Sequence, residues 1–209
     1  MESSPVQRST SEHVARIISF LTISPFQIVV YMVFANIICH NFIQEILLNT
    51  ISGTFFLLIP LIPLWYLGRQ NRIKNYSINR EDRGILLLIQ ISGFTGVSII
   101  YYIYPTYTGL DTTILFIFAV GYTLLHVFSL IITSGLKHKI SLHMTGAASS
   151  ITALVIVLGW EWAFLYLSCL PIAWARVKLQ AHTRAQVIFG TILGILTLFF
   201  IYLGFGYLF

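Results

Sequence analysis

The feature that most constrains this chain is a series of long segments without a charged residue, separated by short polar segments. Six of them are long enough to cross a bilayer, since a spanning helix needs about 20 apolar residues. Only 9% of the 209 residues are charged, whereas a soluble domain carries roughly 25%. The sequence therefore predicts a polytopic membrane protein. The uncharged segments are 17–44, 46–68, 84–110, 112–136, 140–160, 162–175 and 185–209.

The predicted fold class is all-α, a polytopic transmembrane bundle of six to seven membrane-spanning helices. The number depends on segment 162–175, which is short. Trp160, Glu161 and Trp162 can sit at the membrane interface and extend it into a seventh span. The alternative is six spans, in which 162–175 pairs with 140–160 as a buried hairpin.

Two regions are expected along the chain. Residues 1–23 are interpreted as a polar or interfacial segment, and residues 24–209 as one transmembrane domain. Within that domain, helices at about 85–103 and 112–134 are separated by a turn at 104–111, which is aromatic and acidic, as outer interfaces often are.

All twelve lysines and arginines fall on every second gap between the uncharged segments, so helices that cross once each place every cation on one face. Cations favour the cytoplasmic side of membrane proteins, and this predicts a cell-membrane protein with a cytoplasmic N-terminus and a cytoplasmic active face. The net charge of +5 does not indicate nucleic-acid binding, because the cations flank helices and can pair with anionic lipid headgroups. The cations are Arg8, Arg16, Arg69, Arg72, Lys74, Arg80, Arg83, Lys137, Lys139, Arg176, Lys178 and Arg184.

Two clusters on this face carry residues suited to phosphate chemistry. The first comprises Lys139, Ser141 and His143, where a helix is expected to begin, and the second runs from Arg176 to His182 between two helices. A helix N-terminus presents free N–H groups to a phosphate, and lysine and arginine add charge. Histidine can act as a nucleophile or as an acid near neutral pH.

The spacing of His182 and Gln186 places both side chains on one helical face. The amide oxygen of Gln186 can then accept a hydrogen bond from the imidazole and orient it. No Cys/His spacing typical of a metal site occurs, so neither a metal nor another cofactor is expected. His126 is interpreted as a packed, hydrogen-bonded residue of the bundle.

The order of these residues resembles the type-2 phosphatidic acid phosphatase superfamily, which includes the vanadium haloperoxidases. Its three motifs are Lys-x6-Arg-Pro, Pro-Ser-Gly-His and Ser-Arg-x5-His-x3-Asp. The third motif is matched by Ala175-Arg176-x5-His182-x3-Gln186, and the second by Ile140-Ser141-Leu142-His143. The first is matched by Lys74-x8-Arg83-Gly84, with Arg80 as the alternative to Arg83. The resemblance covers about residues 50–205.

The resemblance implies a role for each matched residue. His182 attacks phosphorus and forms a phosphohistidine, and His143 protonates the leaving oxygen. Gln186 takes the place of the aspartate that orients the nucleophile. The phosphate oxygens are bound by Arg176, Lys74, Arg83, Ser141 and Lys139.

Three functions are compatible with these residues. The first is a metal-independent lipid phosphatase acting on a lipid phosphate or an isoprenyl or polyprenyl (di)phosphate. The second is a degenerate family member that binds anionic lipid phosphate without turnover, favoured by Gln186 and Leu142, which replace an aspartate and a glycine. The third is a small transporter or channel, for which only His126 offers an ionisable group near the bilayer midplane. The expected partners are membrane lipids and the lipid-phosphate substrate.

Overall fold

The computed structural model describes residues 9–22, 25–74 and 77–207. Helical segments follow one another throughout this part of the chain. The α-helices are α1 (Thr10–Leu21), α2 (Pro25–Ile38), α3 (Phe42–Gly53), α4 (Ile59–Arg69), α5 (Arg80–Thr108), α6 (Thr113–Leu130), α7 (Leu142–Leu158), α8 (Cys169–Lys178) and α9 (Arg184–Gly204). Thr54–Leu58 and Ile131–Gly135 are π-helical turns, and Trp160–Ser168 is a 3-10 helix. Two-residue strands β1 (Ile73–Lys74) and β2 (Ser77–Ile78) pair antiparallel.

The predicted all-α helical bundle is confirmed. Five described helical segments are long and apolar enough to cross a membrane, fewer than the six to seven expected. α7 has only 17 residues, and the segment 160–178 is a 3-10 helix followed by a ten-residue α-helix. These two segments fall short by length, although both are part of the bundle. The segments long and apolar enough to cross are Thr10–Ile38, Phe42–Arg69, Glu81–Thr108, Thr113–Gly135 and Arg184–Gly204.

α5, α7 and α9 all begin at the same end of the bundle. Their N-caps are Asn79, Ser141 and Thr183, and the one at Ser141 lies where the sequence predicts a helix start. The N–H of Ser141 donates to the carbonyl oxygen of Gln186, which joins the start of α7 to the start of α9. We call this end of the bundle the cationic end, because α4 and α8 finish there with Arg69, Arg176 and Lys178 in their last turns.

The turn expected at 104–111 is wrong in its position, because α5 continues to Thr108 with Pro105 inside it. A proline cannot donate the hydrogen bond that the carbonyl of Tyr101 would otherwise accept from it. The hydroxyl of Thr112 donates to that carbonyl instead, at 2.5 Å. Because the freed acceptor is satisfied, the helix runs past the proline and ends at Gly109, whose φ is 69°.

α7 is the central helix of the bundle, and it packs most extensively on α9. The two helices approach closely at Gly190 and Gly194. A Cβ on Gly190 would lie 2.7 Å from the carbonyl oxygen of Ser141, and one on Gly194 would lie 2.5 Å from that of Thr145. These glycines therefore allow the helix contact that holds the start of α7 in place.

Candidate functional site

A cavity of about 420 Å³ opens among the helices at the cationic end. Four cations and three histidines line it, and no Asp or Glu does so among the described residues. A largely buried wall with positive charge and no carboxylate favours an anionic ligand. The ionisable lining residues are Arg16, Arg83, Lys139, Arg176, His126, His143 and His182.

The turn that ends α8 sets the spacing between Arg176 and His182. Gln180 adopts a left-handed conformation with φ 53°. The N–H groups of Ala181 and His182 both donate to the carbonyl oxygen of Arg176, at 3.1 and 3.2 Å. This is the Schellman type of helix ending. The gap of five residues therefore returns the histidine to the last turn of α8, beside the arginine.

His182 is oriented by a single acceptor. Its Nδ1 lies 3.1 Å from Oε1 of Gln186. An amide oxygen only accepts, so Nδ1 carries the proton, and Nε2 of the neutral ring keeps its lone pair. The same Oε1 accepts the N–H of Thr183 at 3.2 Å, within a capping box that starts α9. The hydrogen bond expected from the spacing is thus present, and it is built into the helix start.

The imidazole of His182 is held neutral by its surroundings. The side chain is 7% exposed, and burial is the largest cause that lowers the pKa of His182 from 6.5 to about 3. The charges of Arg83, Arg176 and Lys139 lower it further, while the hydrogen bond to Gln186 acts in the opposite direction. A neutral ring at pH 7 has the unprotonated nitrogen that a nucleophile requires.

Arg83 projects from the first turn of α5 and is 7% exposed. Its Nη2 donates to the carbonyl oxygen of Ile140 at 2.7 Å. Its Nη1 is buried and has no hydrogen-bond partner among the residues that the structure describes. A buried guanidinium N–H without an acceptor is costly, and the oxygen of a bound anion would satisfy it.

Lys139 precedes α7 and reaches across to the turn after α8, where its Nζ donates to the carbonyl oxygen of Ala181 at 3.1 Å. Burial lowers the pKa of Lys139, and the nearby guanidinium groups of Arg83 and Arg176 lower it further. A bound anion would therefore stabilise the charged form of Lys139.

α1 contacts the cavity through Ser19. Nε2 of His143 lies 3.2 Å from the carbonyl oxygen of Ser19 and donates to it. Nη1 of Arg176 donates to the Ser19 hydroxyl. Ser19 is 5% exposed, so the end of α1 covers two of the side chains that the sequence singled out.

The structure brings five of the eight predicted site residues to one cavity. Ser141 and Gln186 are not among its lining residues. Ser141 is the N-cap of α7, and Gln186 accepts a hydrogen bond from the lining residue His182. The side chains of Lys74 and of Arg80, the alternative to Arg83 in the first motif, lie outside the described part of the structure. The five at the cavity are His182, His143, Arg176, Arg83 and Lys139.

The sequence did not predict five polar residues of the cavity wall: Arg16, Ser19, Gln27, Gln90 and His126. Ser19 meets its partners across 124 and 157 residues of chain, and no local pattern encodes such a contact. The two glutamines lie in the largely apolar segments 25–39 and 85–100. A polar residue in a spanning segment faces protein or a cavity more often than lipid, and that was the available signal.

Comparison of the chain with protein-family models, with curated proteins and with solved structures finds no match. Among the described residues, no group of three or more His, Cys, Asp or Glu side chains is arranged to hold a metal ion. The assignment of a function therefore depends on the cavity and its side chains.

Proposed function

We propose that this chain is an integral membrane lipid phosphatase that hydrolyses a lipid phosphate, or an isoprenyl or polyprenyl (di)phosphate, through a phosphohistidine. One observation carries the proposal. His182, with Nε2 unprotonated, lines the same carboxylate-free cavity as Arg83, Lys139 and Arg176. A neutral nucleophile beside convergent cations is the arrangement that phosphoryl transfer requires.

The reaction would proceed in two displacements. In the first, Nε2 of His182 attacks phosphorus and the P–O bond to the lipid breaks, while the leaving oxygen takes a proton from the imidazolium form of His143. Burial and the charge of Arg176 lower the pKa of His143 in the free cavity, and the negative charge of the bound phosphate raises it. In the second, water attacks the phosphohistidine while His143 takes a proton from it, so that inorganic phosphate leaves and His182 is restored. Arg83, Arg176 and Lys139 stabilise the charge on the phosphoryl oxygens, and no step uses a metal.

Phosphate release from purified protein in detergent, with EDTA present, tests this function. The substrates are a panel of lipid phosphates, including phosphatidic acid, phosphatidylglycerol phosphate and a prenyl phosphate. Release that His182→Ala abolishes supports the proposal. His138→Ala is the matched control, because His138 lies on the same loop as Lys139 but is exposed and does not line the cavity. Equal activity in wild type and His182→Ala would contradict it.

A second candidate is binding of an anionic lipid phosphate without turnover. The contacts of Ser19 favour it, because they engage His143 and Arg176 before any ligand arrives. The neutral amide of Gln186 favours it as well, since it stabilises an imidazolium less than a carboxylate would. Retained lipid-phosphate binding with no phosphate release identifies this second function.

The long apolar helices make a membrane location plausible. We propose in addition that the protein lies in the cell membrane with its cationic end in the cytoplasm, because the described cations cluster there. Single cysteines introduced at Gln70 and Thr108, in a background lacking Cys39 and Cys169, report on opposite ends of the bundle. In intact cells a membrane-impermeant thiol reagent should label position 108 only. Labelling of position 70 alone would reverse the orientation.

A further inference from the structure

We propose that the cavity contains a second, neutral subsite at its inner end, where Gln27, Gln90 and His126 bind a hydroxyl group of the lipid substrate close to its phosphate. This proposal rests on the proposed function, which supplies the phosphate at the cationic end. It narrows the substrate class to lipids that carry a hydroxyl near the phosphate.

The first member of the subsite is Gln90 on α5. It follows Arg83 by seven residues, which is two helical turns and about 10 Å along the same face of the helix. Both side chains line the cavity. Oε1 of Gln90 is buried and has no hydrogen-bond partner among the described residues. The cavity therefore extends from the cations to an unsatisfied acceptor inside the bundle.

The second member is Gln27 on α2, which is 9% exposed. Its Nε2 lies 3.2 Å from the place where a Cβ on Gly146 would stand. Gly146 comes one turn after His143 on α7, about 5 Å farther into the bundle. Oε1 of Gln27 is also buried and also lacks a partner in the described part of the chain. Two amides from different helices thus meet the cavity at its inner side.

The third member is His126 on α6, which is 6% exposed. Its Nδ1 donates to the carbonyl oxygen of Tyr122 at 2.7 Å, so Nε2 of the neutral ring is an acceptor. The ring centroid lies 4.8 Å from that of Phe94, one turn beyond Gln90. The expectation that His126 is buried and hydrogen-bonded is confirmed, but one ring nitrogen remains for the cavity that it lines.

The chemistry of these groups selects a neutral donor. The open acceptors are two amide oxygens and one imidazole nitrogen, and the oxygens of a second phosphoryl group would leave them without a donor. A hydroxyl donates to such acceptors, and its own oxygen can accept from an amide N–H. Polar groups left unsatisfied in an apolar bundle are costly. A glycerol hydroxyl lies within a few bonds of its phosphate, whereas a prenyl chain carries none.

The test compares two substrates that differ in one group: 1-oleoyl-glycerol 3-phosphate and its 2-deoxy analogue. Wild type should prefer the hydroxyl substrate by about tenfold in kcat/KM, since one neutral hydrogen bond is worth about that factor. Gln90→Met and Gln27→Met, which keep the side-chain length, should bring the ratio near one. Gln70→Met is the control, because Gln70 is exposed and does not line the cavity, and it should keep the preference.

Failure of the subsite and failure of the proposed function give different results. Equal hydrolysis of the two lipids by wild type, or a preference that survives both glutamine variants, overturns the subsite and leaves the phosphatase intact. Hydrolysis of neither lipid, with hydrolysis of a prenyl phosphate, also overturns the subsite. Absence of phosphate release from every lipid phosphate of the panel contradicts the phosphatase. In that case the binding affinities of the same two lipids for wild type decide, and equal affinities mean that only water occupies the inner end.

Discussion

The imidazole of His182 and the amide of Gln186 are joined by a hydrogen bond of 3.1 Å. The amide keeps the tautomer that leaves Nε2 free, and it also closes the capping box of α9. It does not supply the negative charge that would stabilise the ring once phosphorus is attached. Orientation is therefore complete, while electrostatic support of the intermediate is not.

The first prediction concerns that missing charge. Gln186→Asp should raise kcat, because a carboxylate stabilises an imidazolium more than an amide does. In a related histidine–aspartate pair, replacing the aspartate with its amide lowers the rate about 10⁴-fold, partly because the ring adopts the wrong tautomer. Since the tautomer is already correct here, we expect a gain of about tenfold. The measurement is steady-state phosphate release. Gln186→Glu, which preserves the capping box, is the control for helix stability, and unchanged or lower activity in both variants would count against the catalytic assignment.

The second prediction concerns pH. The pKa of His182 is about 3 in the folded protein and 6.5 in the unfolded chain, so only the unfolded state takes up this proton between those values. The contribution to stability is complete above pH 6.5 and declines as the pH falls towards 3. Between pH 7 and pH 5 the loss amounts to about 2 kcal/mol.

Unfolding in detergent at pH 7 and pH 5 measures this effect. His182→Gln, which cannot titrate, should lose less stability on acidification than wild type does. His138→Gln removes an exposed histidine and should behave as wild type. An identical pH dependence in wild type and His182→Gln means that the folded-state pKa is not depressed.

The third prediction concerns anion binding by Arg83, whose buried Nη1 has no partner in the described chain. Inorganic phosphate should raise the Tm of wild type, by the equivalent of about 1.4 kcal/mol at ten times its Kd. Arg83→Met should need at least about tenfold more phosphate for the same shift, because a charge-assisted hydrogen bond is lost. Arg69→Met, which removes a cation stacked on Trp65 at the surface, should respond as wild type.

The fourth prediction concerns the helix ending that positions His182. Gln180 has a φ of 53°, which costs an L-residue about 1–2 kcal/mol and glycine little. Gln180→Gly should therefore stabilise the protein by about 0.5–1 kcal/mol, after the larger entropy loss of glycine is subtracted. Denaturant midpoints provide the measurement. Gln180→Ala keeps the conformational cost and should give no gain, so a gain from alanine equal to that from glycine would exclude this explanation.

Much of the fold follows from patterns within short stretches of the sequence. The uncharged segments predicted the helices. The segments 140–160 and 185–209 begin within two residues of the N-caps Ser141 and Thr183. The proximity of Arg176 and His182 was also predictable, because one helix ending sets it. The prediction that the helix ends before Pro105 failed, because the hydroxyl of Thr112 in the following turn satisfies the carbonyl that the proline leaves without a donor.

The parts of the candidate site that the sequence did not predict depend on contacts between distant segments. The covering of His143 and Arg176 by Ser19 arises from the packing of α1 on α8. The approach of Gln27 and Gln90 to one cavity depends on the packing of α2 on α7 and of α5 on α6. Neither arrangement has a periodicity or a spacing by which a single sequence reveals it.

The most direct test of the account is to look for the covalent intermediate on His182. Protein mixed with a ³²P-labelled lipid phosphate should be quenched within one turnover and digested. We predict an alkali-stable, acid-labile phosphoryl group on the peptide that contains His182, and none in His182→Ala. Turnover in which no label reaches that peptide, or turnover that persists in His182→Ala, would contradict the account.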